Sequence, residues 1–179
     1  MLAASKGHLG IIRQLVEAGS CMHLANKDGW TAFHIACRNG DPDVVEYLLA
    51  LETGCWNSKS KNGRTPLHTA ALHGNTKIVE ILLEKGHYPA DEMDSCGNTP
   101  LMEAVRSGHL DCVSLLLSKT AASLSKEDCM GRIAIHVAAE AGQTQIVRSL
   151  IEDNDVDMNA RSRNGKLFAS NVISSPLLF

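Results

Sequence analysis

Apolar residues occur along the chain in adjacent pairs, and each pair is followed by another four residues later. A spacing of i, i+1, i+4, i+5 is typical of a helix with one broad apolar face. The pattern occurs five times in similar form. The leading pairs are Ile11-Ile12, Val44-Val45, Ile78-Val79, Cys112-Val113 and Ile146-Val147, and the following pairs are Leu15-Val16, Leu48-Leu49, Leu82-Leu83, Leu116-Leu117 and Leu150-Ile151. The chain is therefore predicted to contain five amphipathic helices of the same kind.

Two series of glycines recur in phase with these helices. One series is spaced by 34 residues, and the other, which precedes the apolar pairs, by 33 or 34. The first comprises Gly29, Gly63, Gly97, Gly131 and Gly165, and the second Gly7, Gly40, Gly74, Gly108 and Gly142. Such a period indicates tandem units that each bury their apolar face only against a neighbour.

The stretch at 62–86, NGRTPLHTAALHGNTKIVEILLEKG, shows the signals of one unit. The Thr65 hydroxyl can cap a first helix, and Pro66 is tolerated at its first position because no helical partner is lost there. The small residues Ala70 and Ala71 allow two helices to approach closely. Gly74 permits the turn between them. Each unit is thus predicted to be a helix, a turn and a second helix.

The segments after the second helices are predicted to turn sharply and then extend. Gly19, Gly54 and Gly86 are expected to end those helices in the left-handed conformation. The following segments, such as HYPADEMDSCGN at 87–98, are polar and turn-prone and are expected to form extended fingers.

The period alone does not identify the repeat, since tetratricopeptide repeats also have 34 residues. The motif TPLHTAA at 65–71, with its variants TAFHIAC, TPLMEAV and IAIHVAA, resembles the ankyrin repeat. The resemblance covers residues 1–163. It implies an all-α ankyrin-repeat solenoid of stacked helix-turn-helix units with β-hairpin or loop fingers.

The predicted boundaries follow from the alignment of these units. We expect an incomplete repeat at 1–27, full repeats at 28–61, 62–95, 96–129 and 130–163, and a disordered non-repeat tail at 164–179. Met1 aligns with His34 and His68, so the first unit is expected to lack its finger and the start of its first helix. The apolar face of its second helix should then have no covering neighbour.

Composition restricts the partner classes. The net charge of −3 is too small to indicate non-specific binding to nucleic acid or anionic membranes. No apolar run approaches the roughly 20 residues of a transmembrane helix, and no signal-peptide pattern opens the chain.

The six cysteines include no CxxC pair and are interpreted as free thiols. We expect a cytoplasmic or nuclear monomer with a protein partner, no direct nucleic acid, no membrane and no cofactor.

The sequence carries no recognisable catalytic or metal-binding motif. HExxH, GxSxG, phosphate-binding and dinucleotide-binding signatures are absent. His34, His68 and His136 recur at one repeat position, and a stack spaces such positions about 10 Å apart. We therefore interpret them as structural residues that hydrogen-bond local backbone. The protein is predicted not to be an enzyme.

Binding candidates lie instead in the predicted fingers. Trp30 and Trp56 are large aromatics away from the helix faces, and such residues are common anchors in protein interfaces. Lys59, Lys61 and Arg64 form a basic edge on one finger, and Lys27 holds the position of Lys61 on the previous finger. The alternative for Trp30 is that it folds back on a neighbouring finger, and for the basic edge that it is merely solvated.

Several stretches, including NKDGWTAFHIACRNGDP at 26–42 and DSCGNTPLMEAVRSGHLD at 94–111, resemble one vertebrate branch of the family. That branch is a cofactor of alanyl-tRNA synthetase and captures misactivated serine on lysine side chains. The resemblance implies that Lys27 is a serine acceptor. A second acceptor position is Asn57 here, which cannot attack, and Lys59 is the substitute candidate.

Two alternatives remain open from the sequence. The chain can be a plain ankyrin scaffold without covalent chemistry. It can also be a substrate, because Asn159 in VDMNA lies in the finger context that asparaginyl hydroxylases modify in other ankyrin proteins.

Overall fold

A computed structural model of the chain describes residues 1–51, 54, 57–119, 124–154, 156 and 161–162. Ten helices occur in these residues. They are α1 (Leu2–Ser5), α2 (Leu9–Glu17), α3 (Ala32–Asn39), α4 (Pro42–Ala50), α5 (Pro66–Leu72), α6 (Thr76–Glu84), α7 (Pro100–Ser107), α8 (Leu110–Lys119), α9 (Ala134–Glu140) and α10 (Thr144–Asn154). Each predicted unit contains one consecutive pair, and the predicted tail lies outside the described residues.

The helices form two layers. The first helices of the units pack side by side in the order α1, α3, α5, α7, α9, and the second helices α4, α6, α8 and α10 pack behind them. Each helix pair therefore contacts mainly its neighbouring pairs, as expected for a solenoid. The predicted all-α repeat architecture is confirmed. None of the described helices is long and apolar enough to cross a bilayer.

The predicted helix starts are confirmed in the central units. Thr65 caps α5 by accepting a hydrogen bond from the backbone N–H of His68, and Pro66 occupies the first turn. Thr99 caps α7 in the same way through Met102 N–H. These bonds satisfy amide groups that have no partner inside the helix.

Two of the three predicted helix ends were wrong. Gly19 follows the last turn of α2 and has positive φ, as predicted. Gly54 also has positive φ, but α4 already ends at Ala50, so this glycine is not its stop. Gly86 does not have positive φ, and His87 takes the left-handed conformation instead, with φ 49°. Gly86 is required for a different reason: a Cβ atom there would lie 2.8 Å from the Leu82 carbonyl oxygen and from the Tyr88 ring. Close packing, not backbone handedness, accounts for this glycine.

The apolar pairs form the core that the sequence predicted. Val44, Val45, Leu48, Ile78, Val79 and Leu82 are fully buried, as are Cys112, Val113, Leu116 and Leu150. Cys37 and Cys112 are fully buried as well and act as small core residues. The first unit differs, because Ile11 and Leu15 are exposed while only Ile12 of that face is buried. The prediction that this face has no covering neighbour is confirmed for this chain.

Four successive fingers contain a tight turn within the described residues, and these residues contain no β-strand. In four successive fingers a backbone N–H bonds the carbonyl oxygen four residues on, at distances of 2.9–3.0 Å; the pairs are Asn26–Trp30, Ser60–Arg64, Asp94–Asn98 and Asp128–Arg132. The fingers are therefore of the loop type. Repetition of one turn at 34-residue intervals places them at equivalent points of the stack.

Candidate protein-binding surface

The finger turns are held by the side chain of their first residue. The Asn26 Oδ1 atom accepts hydrogen bonds from the backbone N–H groups of Asp28 and Trp30, both at 2.9 Å. Asp94 and Asp128 make the same pair of bonds in later fingers. Asn and Asp are suited to this because their side chains bond backbone two residues on. Three of the four turns are thus closed by a pair of side-chain hydrogen bonds, and in the fourth the Ser60 hydroxyl accepts one bond from Arg64 N–H at 3.1 Å.

Successive fingers are joined by one backbone hydrogen bond each. Lys61 N–H donates to the Asp28 carbonyl at 3.0 Å, Ser95 N–H to Asn62 at 2.9 Å, and Cys129 N–H to Cys96 at 2.8 Å. We call the residues of these turns (26–30, 60–64, 94–98 and 128–132), together with the exposed side chains of the first helices next to them, the finger surface.

Gly29 shows why the fingers can approach so closely. Its φ is +82°, and an added Cβ atom would lie 2.6 Å from the backbone nitrogen of Lys61. A side chain here would therefore be strained and would also collide with the next finger. Gly29, Gly63 and Gly97 of the glycine series thus mark points of contact between successive fingers.

Trp30 packs on the first helix of its own unit. It is half-buried, its ring centroid lies 6.1 Å from that of His34, and the Arg38 guanidinium carbon lies 5.9 Å from the Trp30 ring centroid. The ring contacts of Trp30 are thus made within its own unit. The aromatic face and the cation together form a partly exposed platform on the finger surface.

The repeated histidines link neighbouring units. The His68 Nδ1 atom accepts from the backbone N–H of Thr65 at 3.2 Å, so Nε2 carries the ring hydrogen and donates to the Asn98 carbonyl at 3.0 Å. His34 makes the equivalent contacts with Thr31 and Arg64. The predicted structural role is confirmed, and the bond to the next unit is an addition that the sequence did not indicate.

Burial sets the charge state of these two rings. It lowers the pKa of His34 and of His68, and the hydrogen bonds to the next unit offset this only in part. Both rings are therefore neutral near pH 7 and act as fixed donors and acceptors.

Arg64 lies within an intramolecular network. Its Nε donates to Asp94 Oδ2 at 3.3 Å, and its Nη2 to Glu103 Oε1 at 2.7 Å. Arg106 donates to the same Glu103 oxygen at 3.0 Å and to Asn98 Oδ1 at 2.7 Å. The Arg64 side chain is about a quarter exposed, so it can contact a partner only with the part that faces solvent.

The two acids of this network are almost fully buried. Burial alone would raise the pKa of Asp94, but hydrogen bonds from Asn98, Cys96 and Arg64 outweigh it and lower the pKa. Glu103 Oε2 is buried and accepts no hydrogen bond from the described residues. The network therefore joins two fingers to α7 through desolvated charges.

The candidate lysines differ in their surroundings. Lys27 and Lys61 are exposed and form no ion pair with any residue that the structure describes. Lys59 pairs with Glu92, although its side chain is half exposed. Asn57, the position of the second expected acceptor, is exposed as well.

Two predicted residues cannot be placed. Trp56 and Asn159 lie outside the described residues. Within those residues, no group of three or more His, Cys, Asp or Glu side chains is arranged to hold a metal ion.

Sequence reasoning missed Arg38, Glu103 and Arg106. A signal was present for Glu103, because the same helix position is Ile35, Thr69 or Val137 in the other units. A carboxylate at an otherwise apolar or small position indicates a buried ion pair. Arg38 and Arg106 share one repeat position, but their partners depend on the fold.

This geometry defines a class of protein: an all-α solenoid with a continuous row of linked fingers, a surface suited to binding other proteins. Comparison with known families agrees. The family described as ankyrin repeats (3 copies) matches residues 1–91 and 86–162. The chain belongs to the ankyrin repeat family, and its repeats form a protein–protein interaction module.

Similar curated proteins match over shorter segments. Mouse protein phosphatase 1 regulatory subunit 27 is 41% identical over 49 residues, which is 27% of this chain and 32% of that protein. Human Notch-regulated ankyrin repeat-containing protein is 46% identical over 43 residues, or 24% of this chain and 38% of that protein. The Drosophila melanogaster eye-specific diacylglycerol kinase is 42% identical over 53 residues, 30% of this chain and 4% of that protein. The matched segments thus span less than two fifths of the length of each of these relatives.

Proposed function

We propose that this ankyrin module binds the catalytic domain of alanyl-tRNA synthetase through the finger surface and captures misactivated serine on Lys27. The stretches at 26–42, 64–74, 94–111, 124–131 and 139–150 resemble ankyrin repeat domain-containing protein sixteen, a vertebrate cofactor of that synthetase. Such capture limits the serine that is mischarged onto alanine tRNA.

The position of Lys27 is the observation that supports this proposal most. Lys27 is exposed in a turn that is closed by two hydrogen bonds to the Asn26 side chain. The same turn carries Trp30, so an aromatic anchor and a free amine lie on one rigid finger. A partner whose active site lies beside its contact with Trp30 would therefore have the Lys27 side chain within reach.

The chemistry requires only the amine. The Lys27 nitrogen, once it has lost a proton, attacks the carbonyl carbon of seryl adenylate. A C–N amide bond forms, the C–O bond to the phosphate breaks, and AMP leaves with the electron pair. The amide is stable, so each lysine acts once, and the protein is a stoichiometric acceptor.

Lys59 is the weaker acceptor in this proposal. Its ammonium pairs with Glu92, so it must leave that carboxylate and lose a proton before its nitrogen can attack. We expect less serine on Lys59 than on Lys27.

The test is incubation of the protein with alanyl-tRNA synthetase, ATP and serine, followed by peptide mass mapping. Serine capture adds about 87 Da, one seryl residue, at Lys27. Lys27→Arg should remove most of the adduct, whereas Lys61→Arg, at the equivalent point of the next finger, should leave it. An adduct spread evenly over Lys27, Lys61 and the remote Lys77 would indicate diffusing adenylate and contradict directed capture.

Binding is tested separately with Trp30→Ala. If Trp30 anchors the synthetase, the variant should lose about 2 kcal/mol of binding free energy, measured by calorimetry or surface plasmon resonance. A loss below about 0.5 kcal/mol would remove Trp30 from the interface. No binding of the unaltered protein would refute the synthetase as partner.

The second candidate function is a scaffold without covalent chemistry. Two observations favour it: Arg64 and Lys59, two cations of the predicted basic edge, already pair with Glu103 and Glu92 of this chain. Tight binding to the synthetase with no seryl adduct on any lysine would support it.

A further inference from the structure

Adjacent fingers bring two cysteines into direct backbone contact. Cys96 lies in the turn 94–98 and Cys129 in the turn 128–132, and the Cys129 N–H donates to the Cys96 carbonyl oxygen at 2.8 Å. The two equivalent contacts join Lys61 to Asp28 and Ser95 to Asn62. Among the finger contacts that the structure describes, only this one therefore joins two thiol residues.

The contact limits the separation of the two backbones. With an N···O distance of 2.8 Å and standard bond lengths and angles, the Cα atoms of Cys96 and Cys129 are at most about 6.7 Å apart. Disulfides span Cα separations of about 4.4–6.8 Å. The two Cα atoms are therefore no farther apart than a disulfide can span.

The backbone on both sides is held in place. The Asp94 side chain accepts from Cys96 N–H at 2.9 Å, and the Asp128 side chain accepts from Met130 N–H at 2.9 Å. An added Cβ atom at Gly97 would lie 2.9 Å from Asp128 Cα, so the two turns also touch at this point. The cysteine pair therefore lies where two hydrogen-bonded turns pack against each other.

Both thiols are also accessible. Cys96 and Cys129 are exposed, whereas Cys37 and Cys112 are buried in the core. Cys21 is exposed too, but it belongs to the first unit and has no described cysteine beside it. A small oxidant in solvent can reach the pair on the finger surface.

We propose that Cys96 and Cys129 are an oxidation site that closes into a disulfide between adjacent fingers. With a peroxide as oxidant, one thiolate attacks a peroxide oxygen and becomes a sulfenic acid, and the O–O bond breaks to release hydroxide. The second thiol then attacks the sulfenic sulfur; the S–S bond forms, the S–O bond breaks, and water leaves. Overall, two thiols and one hydrogen peroxide yield one disulfide and two waters.

The disulfide would clamp a whole unit. Residues 96 and 129 lie at the two ends of the unit that contains α7 and α8, so the covalent loop encloses both helices. Closing such a loop lowers the entropy of the unfolded chain. We expect oxidation to raise the Tm by about 5 °C.

The test is treatment of the purified full chain with equimolar hydrogen peroxide, followed by non-reducing peptide mapping. The expected product is a Cys96–Cys129 cross-linked peptide with the loss of two hydrogen atoms, with the higher Tm reversed by dithiothreitol. Cys96→Ser and Cys129→Ser should each abolish both effects, and Cys21→Ser should abolish neither.

A second variant tests whether the finger contact itself, and not a special reactivity of Cys96 and Cys129, allows the disulfide to form. In the Cys96→Ser/Cys129→Ser background, Asn62→Cys with Ser95→Cys moves the pair to the preceding finger contact and should restore a cross-link. The proposal is overturned if the unaltered chain instead gives sulfinic or sulfonic acid on the separate residues, intermolecular dimers, or unreacted Cys96 and Cys129 while Cys21 is oxidised.

Discussion

The helices α2 and α4 carry the same apolar pattern but differ in burial. Ile11 and Leu15 of α2 are 48% and 44% exposed, whereas the equivalent residues of α4, Val44 and Leu48, are 0% exposed. The difference arises from position, because α4 belongs to a unit with a neighbour on each side, whereas the unit of α2 in this chain has a neighbour on one side only. The stability of a unit therefore depends on its interfaces as much as on its own sequence.

The polar contacts show the same contrast between interior and edge. Thr31 and His34 of the second unit bond each other, and His34 also bonds the Arg64 carbonyl of the next unit. The first unit has Met1 at the position of His34 and so lacks this link. The interior units are thus joined by apolar and polar contacts, and the first unit by a smaller set.

The largest expected effect comes from truncating a buried leucine. Leu48→Ala should lower the free energy of unfolding by about 3 kcal/mol, since it removes buried apolar surface and leaves a cavity. Leu15→Ala, the matched change on α2, should cost less than about 1 kcal/mol because its side chain is already partly hydrated. Urea denaturation monitored by circular dichroism measures both, and equal losses would refute the contrast.

Two glycines distinguish backbone strain from finger contact. Gly29 and Gly19 have φ of +82° and +78°, but an added Cβ atom meets Lys61 nitrogen at 2.6 Å only at Gly29, and nothing within 4 Å at Gly19. Gly29→Ala should therefore cost about 2–3 kcal/mol, as strain plus collision, and Gly19→Ala about 1 kcal/mol, as strain alone. Thermal unfolding of both variants is the measurement. If both lose the same stability, close finger contact does not matter.

The Arg64 network should matter more than ion pairs on the second helices. Arg64→Ala leaves Asp94 and Glu103 buried with fewer partners, and after allowance for the partial exposure of Arg64 we expect a loss of about 2 kcal/mol. Lys119→Ala, which removes exposed pairs with Glu80 and Glu84, should cause no measurable change in the same urea titration. A larger loss for Lys119→Ala would reverse this ranking.

The smallest effect is a pH dependence of the interior units. Because burial lowers the folded-state pKa of His34 and His68 below the usual value of 6.5, the unfolded chain binds more protons below that pH. Stability is then fully present above pH 6.5 and is lost as the pH falls below it. Asp94 and Asp128, whose pKa values are lowered from 3.8, lose their contribution only in more acidic solution.

This dependence can be measured by urea denaturation at pH 7.5 and pH 5.5. The unaltered chain should be less stable at pH 5.5, and a His34→Gln/His68→Gln variant should show a smaller difference between the two values. An unchanged difference in the double variant would assign the pH dependence to other groups.

Much of the fold was predictable because it depends on short-range patterns. The apolar pairs, the Thr65 cap and the 34-residue glycine series are local signals that any helix-turn-helix unit needs. The Gly86 prediction was wrong because this glycine is required by a packing contact with the Tyr88 ring. The position of a glycine after a helix does not reveal such a contact.

The candidate site was predictable only in its location. Fingers with lysines and a tryptophan could be read from the repeat, but the side-chain partners could not. The Arg64 guanidinium reaches Asp94 and Glu103, which are 30 and 39 residues away in the sequence. The Trp30 ring faces the Arg38 guanidinium of the following helix. The assignment of Lys27 and Lys59 as serine acceptors remains a prediction. So does the assignment to partner binding of Trp30, Trp56, Lys61 and Arg64.

The sequence by itself determined that this protein is a row of helix pairs with a finger turn before the first helix of a pair. It could do so because helix capping, the amphipathic period and glycine conformation act within one unit. Only the tertiary structure decided which apolar faces are covered, which charges are neutralised and which cysteines meet. These outcomes depend on contacts between residues about 30 or more positions apart, and such contacts exist only once neighbouring units have stacked.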